Sequence, residues 1–294
     1  MKVIDCHAHY EPAILDGQSV INRMKRHGIS ETLLMSAMTT PAIYNKSNFL
    51  MGIQRIMLNS KLLWPIAKKI DDGFHKRPGE WDPWYRKYFG KKEKYQIVLD
   101  PDNESVFSEV DKYPDYLKGW IFLNPKIDDW KGELSKWIKH PGAVGIKIHP
   151  FWHRYPIKEA LEIAELANEN NLPLMIHMGF EQINNIKSFI RNWDNLKIIF
   201  SHAAFPYYCQ LWPEIKNTQK KFVDLSSHHV DQNIISKAVS FLGAEKCLYG
   251  TDDPYGGETA GLKIQKWINS LKIDSTAKEM IYSKNIINII NRDN

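Results

Sequence analysis

Three cysteines in 294 residues, Cys6, Cys209 and Cys247, are odd in number and far apart, which excludes a disulfide framework and suits a reducing compartment. No apolar run reaches the roughly 18 residues of a membrane span, because Lys, Asn or Asp interrupts each candidate. The opening Met1-Lys2-Val3-Ile4-Asp5-Cys6-His7 has no charged leader followed by an apolar core and a cleavage site, so no secretion signal is expected. Together these absences place the expected location in the cytoplasm. Dense Arg/Lys interleaved with aromatics is missing everywhere except residues 61–95, which leaves little basis for a nucleic-acid surface. Also missing is a Gly-rich phosphate turn after the first apolar segment, where the chain instead reads His7-Ala8-His9-Tyr10.

What is present is ordinary globular composition: 43% apolar and 25% charged residues leave no case for a disordered or fibrous chain. The net charge of +5 fits a surface for nucleic acid, a site for an anionic substrate, or solvated helix faces carrying no message. Eight short β-rich apolar runs recur, each bounded by turn residues: Lys2 to His9, Thr32 to Met38, Gly119 to Leu123, Ala143 to His149, Pro173 to His177, Leu196 to His202, Phe222 to Ser226 and Lys246 to Thr251. From the third onward most are separated by amphipathic stretches such as Ile157 to Glu169, and alternation of strand and helix implies parallel pairing. Runs as apolar as Ile198-Ile199-Phe200 call for cover on both faces. Eight such units predict one α/β domain over 1–294, a (β/α)₈ TIM barrel, and the absent phosphate turn disfavours an open doubly wound sheet. One connection is far too long for a barrel loop, so residues 40–95 read as an insertion after strand 2. With Trp64, Trp81, Trp84, Tyr85 and Phe89 beside Arg77, Arg86 and Lys87, it is too apolar for a linker and is expected to fold over the barrel mouth.

In such a barrel the chemistry sits where the strands end. Of eleven histidines, His7, His9, His149, His177 and His202 fall at those ends, and Asp252 closes the eighth strand. His7 and His9 stand two apart on a strand, so both leave one face and can chelate one ion. An HxH pair alone is weak, because two solvated or core-capping histidines read the same way; the clustering at strand ends reverses that weighting.

The sequence resembles the amidohydrolase superfamily, in particular the amidohydrolase-related branch that includes aminocarboxymuconate-semialdehyde decarboxylase and several lactonases. The likeness rests on five segments: Asp5-Cys6-His7-Ala8-His9-Tyr10-Glu11-Pro12 against an opening DxHxHxxP, Leu174 to Gly179, Ile199 to Ala203, Tyr249-Gly250-Thr251-Asp252-Asp253-Pro254 against G[ST]DxP, and Ile281 to Ile286 in the closing helix. It implies that His7, His9, His177 and Asp252 hold one divalent metal, zinc by default. Three neutral nitrogens and one carboxylate then leave a water position, the open site of a catalytic zinc. Asp252 reads alternatively as a helix N-cap before residues 257–270. His202 is assigned with Asp252 as a catalytic acid/base, and Lys147 as a charge aimed at substrate or a structural residue, since a carboxylated lysine bridges two metals in other branches. His149, His153, His228 and His229 are rim candidates, and Glu11 reads as an exposed loop carboxylate.

The expected activity is hydrolysis of a small amide, lactone or ester, its carboxylate met by Arg77, Arg86, Lys87 and Lys147, through a metal-activated water. The alternative is nonoxidative decarboxylation of an unsaturated or aromatic acid with the same ligands. A binding module gripping single-stranded nucleic acid would leave the histidine clustering unexplained. The expected partner is therefore a small anionic substrate, with neither nucleic acid nor membrane, and a homo-oligomer is admitted.

Overall fold

A computed structural model describes residues 1–40, 49–74 and 96–291. Eight parallel strands follow one another around a barrel: β1 (Ile4–Tyr10), β2 (Glu31–Ser36), β3 (Leu117–Leu123), β4 (Ala143–Ile148), β5 (Leu174–Ile176), β6 (Ile198–Phe200), β7 (Lys221–Asp224) and β8 (Cys247–Leu248). The first and last strands meet through backbone bonds, Cys6 N–H to Tyr249 O at 3.1 Å and, higher up, His9 N–H to Asp253 O at 2.6 Å. Every expected strand is present, shifted by a few residues at its ends.

The lumen is packed by residues of alternating parity, Leu33, Met35, Trp120, Phe122, Met175, Ile199 and Leu248 among them. Ile4 and Cys6 join that layer, whereas Ala8 and Tyr10 pack outward against the helices. The switch is a register slip between Asp5 and Ala8 where β1 pairs with β2. A bulge adds one residue and reverses the parity beyond it, which turns His7 and His9 inward. Asp5 anchors the same seam, its carboxylate accepting from His7 N at 3.1 Å, Thr251 N at 2.9 Å and Thr251 Oγ1 at 2.6 Å. At the C-terminal end, Asn285 Nδ2 donates to Ala244 O and Cys247 O and ties the last helix to β8.

The described part of the insertion forms helices Phe49–Leu58 and Trp64–Phe74. They rest on the loops that follow β6 and β7: Trp64 Nε1 donates to Pro206 O at 2.9 Å, its ring stacks on Tyr207 at 5.2 Å, and Arg55 Nη1 donates to His228 O at 2.7 Å. A two-rung antiparallel ladder, Thr39 with Ile97 and Thr40 with Gln96, closes the root of the excursion. That ladder carries no sequence signal of its own, being two residues long. Trp81, Trp84, Tyr85, Phe89, Arg77, Arg86 and Lys87 lie outside the described residues. No helix among the described residues is long and apolar enough to cross a membrane.

Candidate metal centre

His7, His9, His177, His202 and Asp252 all lie at the barrel mouth, and all are buried. His7 Nε2 and His9 Nε2 stand 3.6 and 3.5 Å from the same atom, Asp252 Oδ1. These three residues present ligand atoms all within 4.8 Å of one another. His177 is not in that trio; it lies one ring away, its Nδ1 3.1 Å from His202 Nε2. Asp252 is held in the left-handed region, φ 59°, with its N–H donating to His7 O at 2.7 Å. Such backbone strain in a non-glycine residue collects at functional sites. The N-cap reading of Asp252 does not hold, because the next helix, Ala260–Asn269, starts eight residues later behind Thr259.

The hydrogen bonds determine which nitrogen of each ring carries its proton. His9 Nδ1 lies 2.7 Å from Ser36 O, a carbonyl that can only accept, so the proton is on Nδ1 and the Nε2 lone pair is open. His7 Nδ1 faces Asp224 Oδ2 at 2.9 Å, with the same consequence. Ser226 Oγ–H donates to Asp224 Oδ1, which leaves the Ser226 oxygen to accept from His202 Nδ1–H at 2.8 Å. His202 Nε2 is then an acceptor for His177 Nδ1–H, and the His177 Nε2 lone pair is open in turn. His7 Nε2 and His177 Nε2 are indeed buried without a hydrogen-bond partner. Three neutral imidazoles with open Nε2 lone pairs beside an ionised carboxylate are the donor set a divalent cation takes, and a buried polar atom left without such a partner is costly. The residues present therefore fit a metal.

Asp224, at the end of β7, was not among the residues singled out from the sequence. Besides His7 Nδ1 it accepts from His202 N at 3.0 Å and Ser226 N at 3.1 Å. Burial would raise its carboxyl; His7, His202 and Ser226 together hold it below the normal range. Its signal in the sequence, an acid two residues before a serine at a strand end, is too common to single out. Carboxylates behind a ligating histidine fix its tautomer and orientation, and losing one costs about 10- to 100-fold in metal affinity. Asp224→Asn is expected to weaken divalent-metal binding by about that factor while leaving the circular-dichroism spectrum unchanged, which chelator competition on the two purified proteins measures.

The remaining candidates separate clearly. Lys147 is fully buried in the lumen, with Nζ donating to Ser201 Oγ at 3.0 Å. Burial pushes it down to about 8 against the opposing pull of Asp224 and Asp252. His149 Nδ1 accepts from Trp152 N, and its ring stacks on His177 at 4.0 Å. His153 donates through Nε2 to Val98 O. Glu11 is not an exposed loop carboxylate as expected: it is buried, bonded to Ala13 N, and lines a cavity outside the barrel with Arg23, His27 and Asp253. Burial pushes His202 down to about 3, so its ring is neutral. Around His177 stand the rings of Phe151 at 5.4 Å and Phe205 at 5.7 Å, with Phe180 packed behind both.

An eight-stranded parallel barrel with imidazoles and a carboxylate at the strand ends defines a class of metal-dependent barrel enzymes. The amidohydrolase family model matches residues 4–291, and the chain belongs to that family. Comparison with curated proteins finds no match. Among solved structures, the chain is similar to 5-carboxyvanillate decarboxylase from Novosphingobium aromaticivorans, complexed with manganese and 4-hydroxy-3-methoxy-5-nitrobenzoic acid, at TM-score 0.63 and 13% identity over 98% of this chain and 96% of that one. It is similar to 2,6-dihydroxybenzoate decarboxylase from Rhizobium at TM-score 0.60 and 13% identity over 100% of both chains. A third likeness is 4-oxalomesaconate hydratase from Rhodopseudomonas palustris, at TM-score 0.60 and 15% identity over 99% of this chain and 96% of that one. At these identities the likeness carries the fold.

Proposed function

We propose that this protein is a metal-dependent hydrolase of a small carboxylate-bearing amide, lactone or ester. The observation that carries this reading is the convergence of open Nε2 lone pairs from His7 and His9 on Asp252 Oδ1, with the His177 lone pair one ring away. His7, His9, His177 and Asp252 would hold one divalent ion, zinc by default, which when bound supplies Lewis acidity and lowers the pKa of water. Asp252 accepts the proton released as water attacks the substrate carbonyl. His202 acts in proton transfer through the bond its Nε2 shares with His177 Nδ1, its own Nδ1–H held by Ser226. The two insertion helices, seated on the loops after β6 and β7, act as a cover that excludes bulk water.

The second reading is nonoxidative decarboxylation of an unsaturated or aromatic acid. It is favoured by the ring wall of Phe151, Phe180 and Phe205 beside His177, which suits a flat substrate, and by the decarboxylases among the similar structures. A screen of metal-loaded protein separates the two. Lactones, amides and esters with and without a carboxylate are followed by acid release, and hydroxybenzoic acids by release of carbon dioxide. The proposal expects turnover of carboxylate-bearing lactones, amides or esters and slower turnover of their neutral analogues. Carbon dioxide release without any hydrolysis replaces it with the second reading, and equal turnover of neutral analogues removes the anionic substrate.

A further inference from the structure

Of the eight histidines at the strand ends and rim of the barrel mouth, seven have at least one ring nitrogen in a hydrogen bond, His228 through Nδ1 on Ser227 Oγ at 3.2 Å among them. His202, assigned from the sequence to proton transfer, has both engaged, Nδ1 on Ser226 and Nε2 on His177. The exception is His229. Among the described residues no group hydrogen-bonds either of its ring nitrogens, and neither is sealed from solvent. Yet the ring is firmly placed: it stacks on Phe205 at 3.9 Å and 22°, and stands 5.4 Å from His202 and 6.0 Å from His177, centroid to centroid. Its main chain is pinned as well. Ser227 takes φ 78° just after β7, a conformation rare for a side-chain-bearing residue, and turns the chain back over the mouth. Tyr208 Oη–H donates to His229 O at 2.6 Å, and Arg55 holds the preceding carbonyl.

A rigidly held ring with one open donor and one open acceptor, beside a centre that fits a metal, has the properties of a ligand-binding group. We propose that His229 contacts the substrate, hydrogen-bonding an oxygen of a small planar carboxylate held in the mouth. The assignment rests on the functional reading above for the position of the reacting centre, but not for the state of the ring. His7, His9 and His177 serve the centre itself; His202 is tied between two of its neighbours; His229 is the imidazole left for the ligand. An exchange of a water contact for a hydrogen bond to a charged oxygen is worth about 1.5–3 kcal/mol, which is about tenfold or more in affinity.

The test uses the full-length, metal-loaded protein, with benzoate as the planar carboxylate probe and diethyl pyrocarbonate as the probe of open imidazoles. Peptide mapping by mass spectrometry is expected to find His229 carbethoxylated well before His202 or His177, and shielded when benzoate is present. Benzoate affinity, read from tryptophan fluorescence, is expected to fall about tenfold or more in His229→Ala with metal content unchanged, and to recover in part in His229→Asn, which keeps a donor and an acceptor. Modification of His202 as fast as His229, absence of shielding, or equal benzoate affinity in His229→Ala overturns the assignment. A parent protein that holds no divalent metal overturns the functional reading instead, and the modification rates still decide on His229.

Discussion

Asp252→Asn is expected to lower turnover about 10³-fold while the protein stays folded. One carboxylate oxygen, Oδ1, lies 3.5–3.6 Å from the open nitrogens of two histidines, so the residue faces the centre through a single atom shared by both. An amide there is a weaker donor to a cation and does not accept a proton at neutral pH. The backbone role of the residue, its N–H on His7 O, survives the change, as does the left-handed conformation, which asparagine tolerates better than most residues. The loss should therefore appear in kcat on whichever substrate the screen yields, with the thermal unfolding midpoint little moved. Near-normal turnover in a folded Asp252→Asn protein would remove Asp252 from the chemistry.

The other large effect is on the metal itself. Protein purified without chelator is expected to carry about one divalent ion per chain, and His7→Ala combined with His9→Ala to carry almost none, as measured by elemental analysis. Both side chains come from the one strand that the bulge turns inward, and both face the same oxygen of Asp252. Their removal leaves His177 and Asp252, too few donors for a tight site. Unchanged metal content in the double variant would place the ion elsewhere. About two ions per chain in the parent would return Lys147 to a bridging role, at odds with its bond to Ser201 Oγ.

Much of this architecture can be read from residue order. Eight apolar runs spaced by amphipathic stretches require parallel strands under helices, and the strands stand where the runs do. The helix expected over Ile157 to Glu169 is present as a single 3-10 turn, Ile157–Ala160, leading into Leu161–Glu169, with Ile163, Ala164 and Ala167 buried. Leu161, at the start of that helix, is 42% exposed. The closing segment Ile281 to Ile286 is helical, and its Asn285 proves to be a side-chain tie to β8.

What the sequence determined by itself was the barrel and the list of histidines and acids at the strand ends, because these follow from local periodicity and from a fold in which strand ends meet. Tertiary structure alone decided the relations among those side chains. The bulge after Asp5 chose the face on which His7 and His9 stand; Asp224, over 200 residues away in the chain, fixed the His7 tautomer; and Ser226 bound His202 so that its ring closed on His177. Glu11 is likewise buried only by the tertiary packing around it. Hydrogen-bond direction depends on which acceptor lies within about 3 Å, and residues far apart in the chain reach that distance only when the barrel closes.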